Sequence, residues 1–142
     1  MATSNAATTY LENKILDFLF KNNSSSFTTP GNSIYVGLAT AVSNAEAGTV
    51  TEATFGAYAR QQVNAAGWTL ASGATDQQTV TNAANIEYAA STGTSNTVTH
   101  AFIADAASSG NILFVGALDA SKTIATGDIF RINAGNLTIE LK

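Results

Sequence analysis

The last third of the chain, from Thr97 to Leu141, does most to restrict the folds open to it. Val98-Thr99-His100-Ala101-Phe102-Ile103-Ala104-Asp105 runs into Ser109-Gly110, and Asn111-Ile112-Leu113-Phe114-Val115-Gly116-Ala117-Leu118 follows. Ala120-Ser121-Lys122-Thr123-Ile124, a Thr126-Gly127-Asp128 turn, Ile129-Phe130-Arg131-Ile132, Ala134-Gly135-Asn136 and Leu137-Thr138-Ile139-Glu140-Leu141 complete the series. Apolar runs rich in β-branched and aromatic residues, closed by Gly, Asn, Asp or Ser about every 8–12 residues, are the pattern of a sandwich or barrel. Four or five short strands fit here, and neither a catalytic helix nor a nucleotide loop does.

Upstream the same texture continues. Ser33-Ile34-Tyr35-Val36-Gly37-Leu38-Ala39-Thr40 reads as a strand after a Pro30-Gly31-Asn32 turn, and residues 41–56, with Gly48 and Gly56, read as loop. Tyr58-Ala59-Arg60-Gln61-Gln62-Val63 alternates as a strand would. Trp68-Thr69-Leu70, Thr79-Val80-Thr81 and Asn85-Ile86-Glu87-Tyr88-Ala89 are further extended pieces, and residues 91–96 turn the chain into the C-terminal series. Thr, Asn and Gly interrupt every Ala-rich window, so no helical period survives there. The expected fold is mostly β, an antiparallel β-sandwich or jelly-roll of about eight strands, with closed or doubled sheets hiding their edges.

One helix is expected. Residues 1–8 form a polar arm, and Thr9-Tyr10-Leu11-Glu12 fits a capping box in which Thr9 is the N-cap. Leu11, Ile15, Phe18 and Leu19 recur at helical spacing on one face, Leu16 and Phe20 widen it, and Asn22-Asn23-Ser24-Ser25-Ser26 ends it. The chain thus divides into an arm and helix, 1–26, and a β domain, 27–142, within one compact unit. Tyr10, Leu11, Ile15, Phe18 and Leu19 are the candidate interaction residues, because a short helix this apolar needs either its own sheet or a neighbour to cover it.

Few residues form a pattern suited to catalysis or metal binding. The chain has no Cys and one His, so disulfides, thiolate catalysis and sulfur-ligated zinc are excluded, and a Ser-His-Asp or multi-histidine site would need a second chain. His100 lies mid-strand and reads as a structural histidine. Asp105, Asp119 and Asp128 sit where Asp caps turns through its own carboxylate. No phosphate-binding glycine loop, calcium loop or nucleophile elbow occurs. Ser121 and Lys122 are adjacent in a strand and point to opposite faces, so they make no dyad. Phe55, Tyr35, Tyr58, Trp68 and Tyr88 read as core rather than as a sugar platform. The expectation is a protein that is not an enzyme and needs no cofactor or metal.

Charge points the same way. Charged residues make up 11% of the chain and the net charge is −4, with Lys14, Lys21, Arg60, Lys122, Arg131 and Lys142 scattered. No basic stripe is present to neutralise phosphates, so direct nucleic-acid contact is not expected. No apolar run approaches a membrane span, and the N-terminus lacks a signal-peptide pattern, so synthesis in the cytoplasm is expected. The charged fraction is well below the roughly 25% usual for a soluble domain, which suits a component of an ordered assembly.

Taken in order, several of these segments resemble a family of short virion proteins of tailed phages, of the tail-fibre or decoration type. The matching pieces are Tyr10 to Asp17, Ile34 to Thr40, Gly56 to Val63, Val98 to Asp105, Gly110 to Phe114, and Gly116-Ala117-Leu118 through Gly127-Asp128 to Gly135-Asn136-Leu137-Thr138-Ile139. The chain departs from the pattern between Trp68 and Asn85 and in residues 41–56. The resemblance implies a virion structural protein made in the host cytoplasm. It is expected first as a capsid decoration or cement protein clamping major capsid subunits at the shell surface. The alternatives are a tail-fibre or minor tail protein touching the host, and then a carbohydrate-binding β-sandwich. Its expected partners are the major capsid protein or other virion proteins, together with its own copies, a trimer being one option.

Overall fold

A computed structural model describes residues 5–21, 34–70 and 78–141. Among these residues lie one α-helix, a single 3-10 turn at Ala65–Gly67 and eleven strands, all pairing antiparallel. The elements are β1 (Ala6–Ala7), α1 (Thr9–Phe20), β2 (Tyr35–Asn44), β3 (Thr49–Glu52), β4 (Gln61–Gln62), β5 (Trp68–Leu70), β6 (Gln78–Asn82), β7 (Ile86–Glu87), β8 (Asn96–Ala104), β9 (Ile112–Ile124), β10 (Arg131–Ile132) and β11 (Thr138–Leu141). The main sheet runs β1-β9-β8-β2-β3, with β4 also on β2; β11-β6-β5 and β10-β7 form two smaller sheets. The fold is therefore mostly β and jelly-roll-like, with its single helix near the N-terminus, as the sequence pattern predicts.

The central strands show why their sequences are continuously apolar. Val36, Gly37 and Leu38 on β2 stand opposite Ile103, Phe102 and Ala101 on β8, which stand opposite Phe114, Val115 and Gly116 on β9. Side chains alternate between faces. Val36, Leu38, Ala101 and Ile103 enter a large core with Ala53, Phe55, Val63, Ile86, Tyr88 and Ile132. Phe102, Ala39, Ala104 and Val115 enter a smaller core with Ala45 on the other face. A strand buried on both faces has no solvent side to keep polar.

Several expectations are corrected. Residues 41–52 of the expected 41–56 loop form a hairpin, and only 53–56 stay loop: β2 continues to Asn44 and returns as β3, with Gly48 at φ +66° in the turn and Asn44 Oδ1 accepting from Ala47 N (3.1 Å). This edge hairpin has register shifts and many exposed polar residues, so it carries only a weak strand signal. Tyr58–Val63 pairs only at Gln61–Gln62. The two expected strands on either side of Asp119 are one strand, β9, in which four residues, Leu118 to Ser121, stand against Thr99 alone. Asp119 thus sits in a wide bulge and not at a turn. The helix cap is Thr8 and not Thr9, since the Thr8 hydroxyl accepts from Leu11 N (3.4 Å). Tertiary structure fixes that choice, because Thr8 N donates to Leu113 O and Thr9 N to Glu46 O (2.8 Å each). The expected turn at Pro30-Gly31-Asn32 and the helix stop at Asn22–Ser26 lie outside the described residues.

Candidate functional site

The helix is built onto the domain at one end. β1 pairs with β9 at Val115 and Phe114, Asn5 Oδ1 accepts from Ala117 N (2.6 Å), and buried Thr8 donates its hydroxyl to Ile112 O (2.6 Å). Leu11 is buried against this end of the sheet and Ile15 is half-buried. With about 100° of rotation per residue, Leu11, Ile15 and Phe18 share one side, whereas Leu19, Leu16 and Phe20 lie about 80°, 140° and 180° round from Leu11. Leu16 is 54%, Leu19 64% and Phe20 78% accessible, against 6% for Leu11, and exposure also rises toward the C-terminal end of the helix.

Of the five residues picked from the sequence, Leu11 and Ile15 therefore face the protein's own sheet. Tyr10 (37%) and Phe18 (45%) lie at the margin, and Leu19 is turned outward. Leu16 and Phe20, which the sequence offers only as widening the face, belong with Leu19 in the outer stripe. An apolar arc spanning about half the helix circumference was the available signal: it is wider than one sheet can cover.

Beside β1 lies an open groove of about 830 Å³ between β9 and the segment from Phe130 to Glu140. Phe114, Leu118, Leu137 and Ile139, each half-buried, give it apolar walls, and Asp119, Lys122, Arg131 and Glu140 stand on its rim.

The most perturbed titratable groups lie elsewhere and satisfy one another. Burial pushes the Glu52 carboxyl up, but the hydrogen bonds from Arg60 and Tyr58 and the Arg60 charge outweigh it, leaving Glu52 below its ordinary value. Arg60 donates from Nε and Nη2 to the two carboxylate oxygens and from Nη1 to the carbonyls of Ala106 and Ser109 (2.8 Å each). Tyr58 donates to Glu52 (2.8 Å) and accepts from Leu38 N (2.9 Å). Burial foremost, then the bond to Glu52, raises the Tyr58 phenol, and burial raises Tyr88, which donates to Val36 O (2.9 Å). This network ties β3, the 105–111 loop and the sheet together, and its bonds run between its own members and the backbone.

Two of the turn aspartates and the histidine have local partners. Asp105 accepts from Asn111 N (2.7 Å) and Asn111 Nδ2 (2.8 Å), and Asp128 from Ala125 N (2.9 Å), as turn caps do. His100 Nδ1 lies 2.8 Å from Thr99 Oγ1, and burial lowers its pKa. Phe55, Tyr58 and Tyr88 pack ring to ring in the core. Among the described residues no three His, Asp or Glu side chains gather as a metal site.

The geometry thus presents two surface features on the β scaffold, an outward apolar stripe and a groove. No curated protein matches the chain. A family described as podophage GP4 fiber I protein gp80 matches residues 6–140, from β1 to β11. With all but the extreme ends of the sequence covered, the chain belongs to that family of short-tailed-phage virion structural proteins.

Proposed function

We propose that this protein is a non-enzymatic structural subunit of the fibre apparatus on the tail, held in the virion through α1, rather than a cement protein on the head shell. The observation that carries this reading is the fibre family's match across residues 6–140. It moves the weight from head decoration, the first expectation from sequence, to the tail-fibre alternative. The outward stripe of Leu16, Leu19 and Phe20 supports it as well, since large side chains more than half exposed on one helix face are characteristic of an interaction site. On this reading the partners are other virion proteins, and neither nucleic acid nor membrane is among them.

Copy number tests the assignment. Quantitative mass spectrometry of purified particles, with immunogold labelling, should find a few tens of copies or fewer, gathered at the tail vertex. Hundreds of copies spread over the head would return the protein to the decoration class. A glycan array probed with the isolated protein separates the remaining alternative: silence is expected, and selective glycan binding would favour a carbohydrate-binding module.

A further inference from the structure

We propose that Asn5 caps the outer edge of β9 and so keeps this strand from pairing with extended segments of other molecules. The hazard is written in the sequence. Ile112-Leu113-Phe114-Val115-Gly116-Ala117-Leu118 is a run of seven residues without a charge or a proline, the composition from which stacked strands form. The fold places this run at the end of the main sheet. Among the described residues, β9 has β8 along one side and only the two residues of β1 along the other. A strand with an open row of N–H and C=O groups is a template for another chain. The opposite end of the sheet is blunter: β3 has four residues, Thr-Val-Thr-Glu, a single apolar side chain and a shifted register.

The position of Asn5 follows from the ladder. Thr8 N donates to Leu113 O and Ala6 stands opposite Val115, so Leu113, Val115 and Ala117 direct their backbone groups toward β1. At Ala117 a paired strand would offer a backbone carbonyl. The Asn5 side chain stands there instead, its Oδ1 accepting from Ala117 N (2.6 Å). A side-chain oxygen satisfies this amide without presenting the N–H that would carry the ladder onward, so pairing stops. Past Ala117 the bulge of Leu118 to Ser121 takes the strand out of register, and exposed Asp119 and Lys122 put charge on it. The apolar run is thus covered by β1 at Phe114 and Val115, capped at Ala117 and followed by a kink. Asn5 closes the gap between the cover and the kink.

The Asn5 bond is exposed to solvent, so it adds little to folding, and its effect on the edge is separable from stability. The inference stands on the sheet alone and does not depend on where the protein sits in the virion.

The test uses the full chain and two substitutions. Asn5→Ala removes the accepting oxygen, and Asn5→Asp keeps one in the same place. Amide exchange at Ala117, followed by NMR, should quicken about fivefold in Asn5→Ala and stay near the parent rate in Asn5→Asp. During incubation below the melting transition, thioflavin T should report fibrillar aggregate after a lag about twofold shorter or less in Asn5→Ala. Asn5→Asp should keep the parent's lag. Ile86→Val, a change in the buried core, supplies a comparison in which stability falls and the β9 edge is untouched; thermal melts rank the three variants. Unchanged exchange at Ala117 in Asn5→Ala overturns the proposal, because the cap then protects nothing. Aggregation of Asn5→Ala no faster than that of the parent overturns it too. So does aggregation no faster than that of Ile86→Val, which would assign the effect to lost stability, and so does Asn5→Asp behaving as Asn5→Ala does.

Discussion

At the residue scale, the side chains that hold this fold are those whose neighbours leave no substitute. Arg60 is almost wholly enclosed, 6% exposed at its side chain, beside Glu52 at 33%. Removing the guanidinium strands a half-buried carboxylate and two loop carbonyls, so Arg60→Ala should cost about 2–4 kcal/mol in denaturant titration. The pH dependence follows in sign. The folded pKa of Glu52 is depressed, so its contribution is full above the ordinary carboxylate value and is lost as pH falls through the folded one. Acid titration of stability should therefore steepen below about pH 4.5, and Glu52→Gln should flatten that limb; an unchanged slope would remove Glu52 from the account. Gly37 is needed for a different reason. An added Cβ would lie 2.2 Å from Phe102 Cζ, and the ring is confined by the Arg60 guanidinium 5.0 Å from its centroid. Gly37→Ala should lower stability by about 2 kcal/mol, read as a shift in melting temperature. Buried Asn82 donates to the carbonyls of Ala84 (2.8 Å) and Asn133 (2.9 Å) and accepts from Leu137 N (2.9 Å), which knots β6 to the turn before β11.

At the element scale, α1 divides its work between inside and outside, and the two halves should respond differently. Leu11→Ala should cost about 2–3 kcal/mol, because it empties a filled site at the end of the sheet. Leu19→Asp, at 64% exposure, should change stability by no more than about 0.5 kcal/mol. Chemical denaturation of the two variants measures the contrast, and a costly Leu19 would mean that the stripe is already covered within the chain. Strands show a parallel division. The apolar spacing in β8 and β2 was legible because both faces are buried. β3 was missed because an edge strand of Thr and Val answers to its partner more than to its own pattern. The break read at Asp119 was a real discontinuity. It emerges as a bulge instead of a turn because β8 continues alongside and holds both halves of β9 in one ladder.

At the scale of the whole molecule, the N-terminal segment is a working part of the β domain. It supplies the edge pairing of β1, the Thr8 bonds to β9 and the burial of Leu11. Deleting residues 1–21 should therefore lower the melting temperature by about 10 °C or more, and a truncated chain that melts unchanged would make the segment a mere appendage. Surface substitutions in the stripe are for that reason the cleaner probe of assembly. The sequence by itself determined the β class, the antiparallel short-strand organisation and the single amphipathic helix. These follow from local periodicity, turn chemistry and composition, which need no knowledge of distant residues. Only the tertiary structure decided which half of the helix faces outward, that Thr8 is its cap, that residues 41–52 pair as a hairpin, and that a groove opens beside β9. Each depends on contacts between segments far apart in the chain: Thr8 with Ile112, Thr9 with Glu46, Leu118 with Leu137 and Ile139 across one groove. Local patterning states that an apolar face must be covered, and only the assembled sheet shows how much of it remains bare.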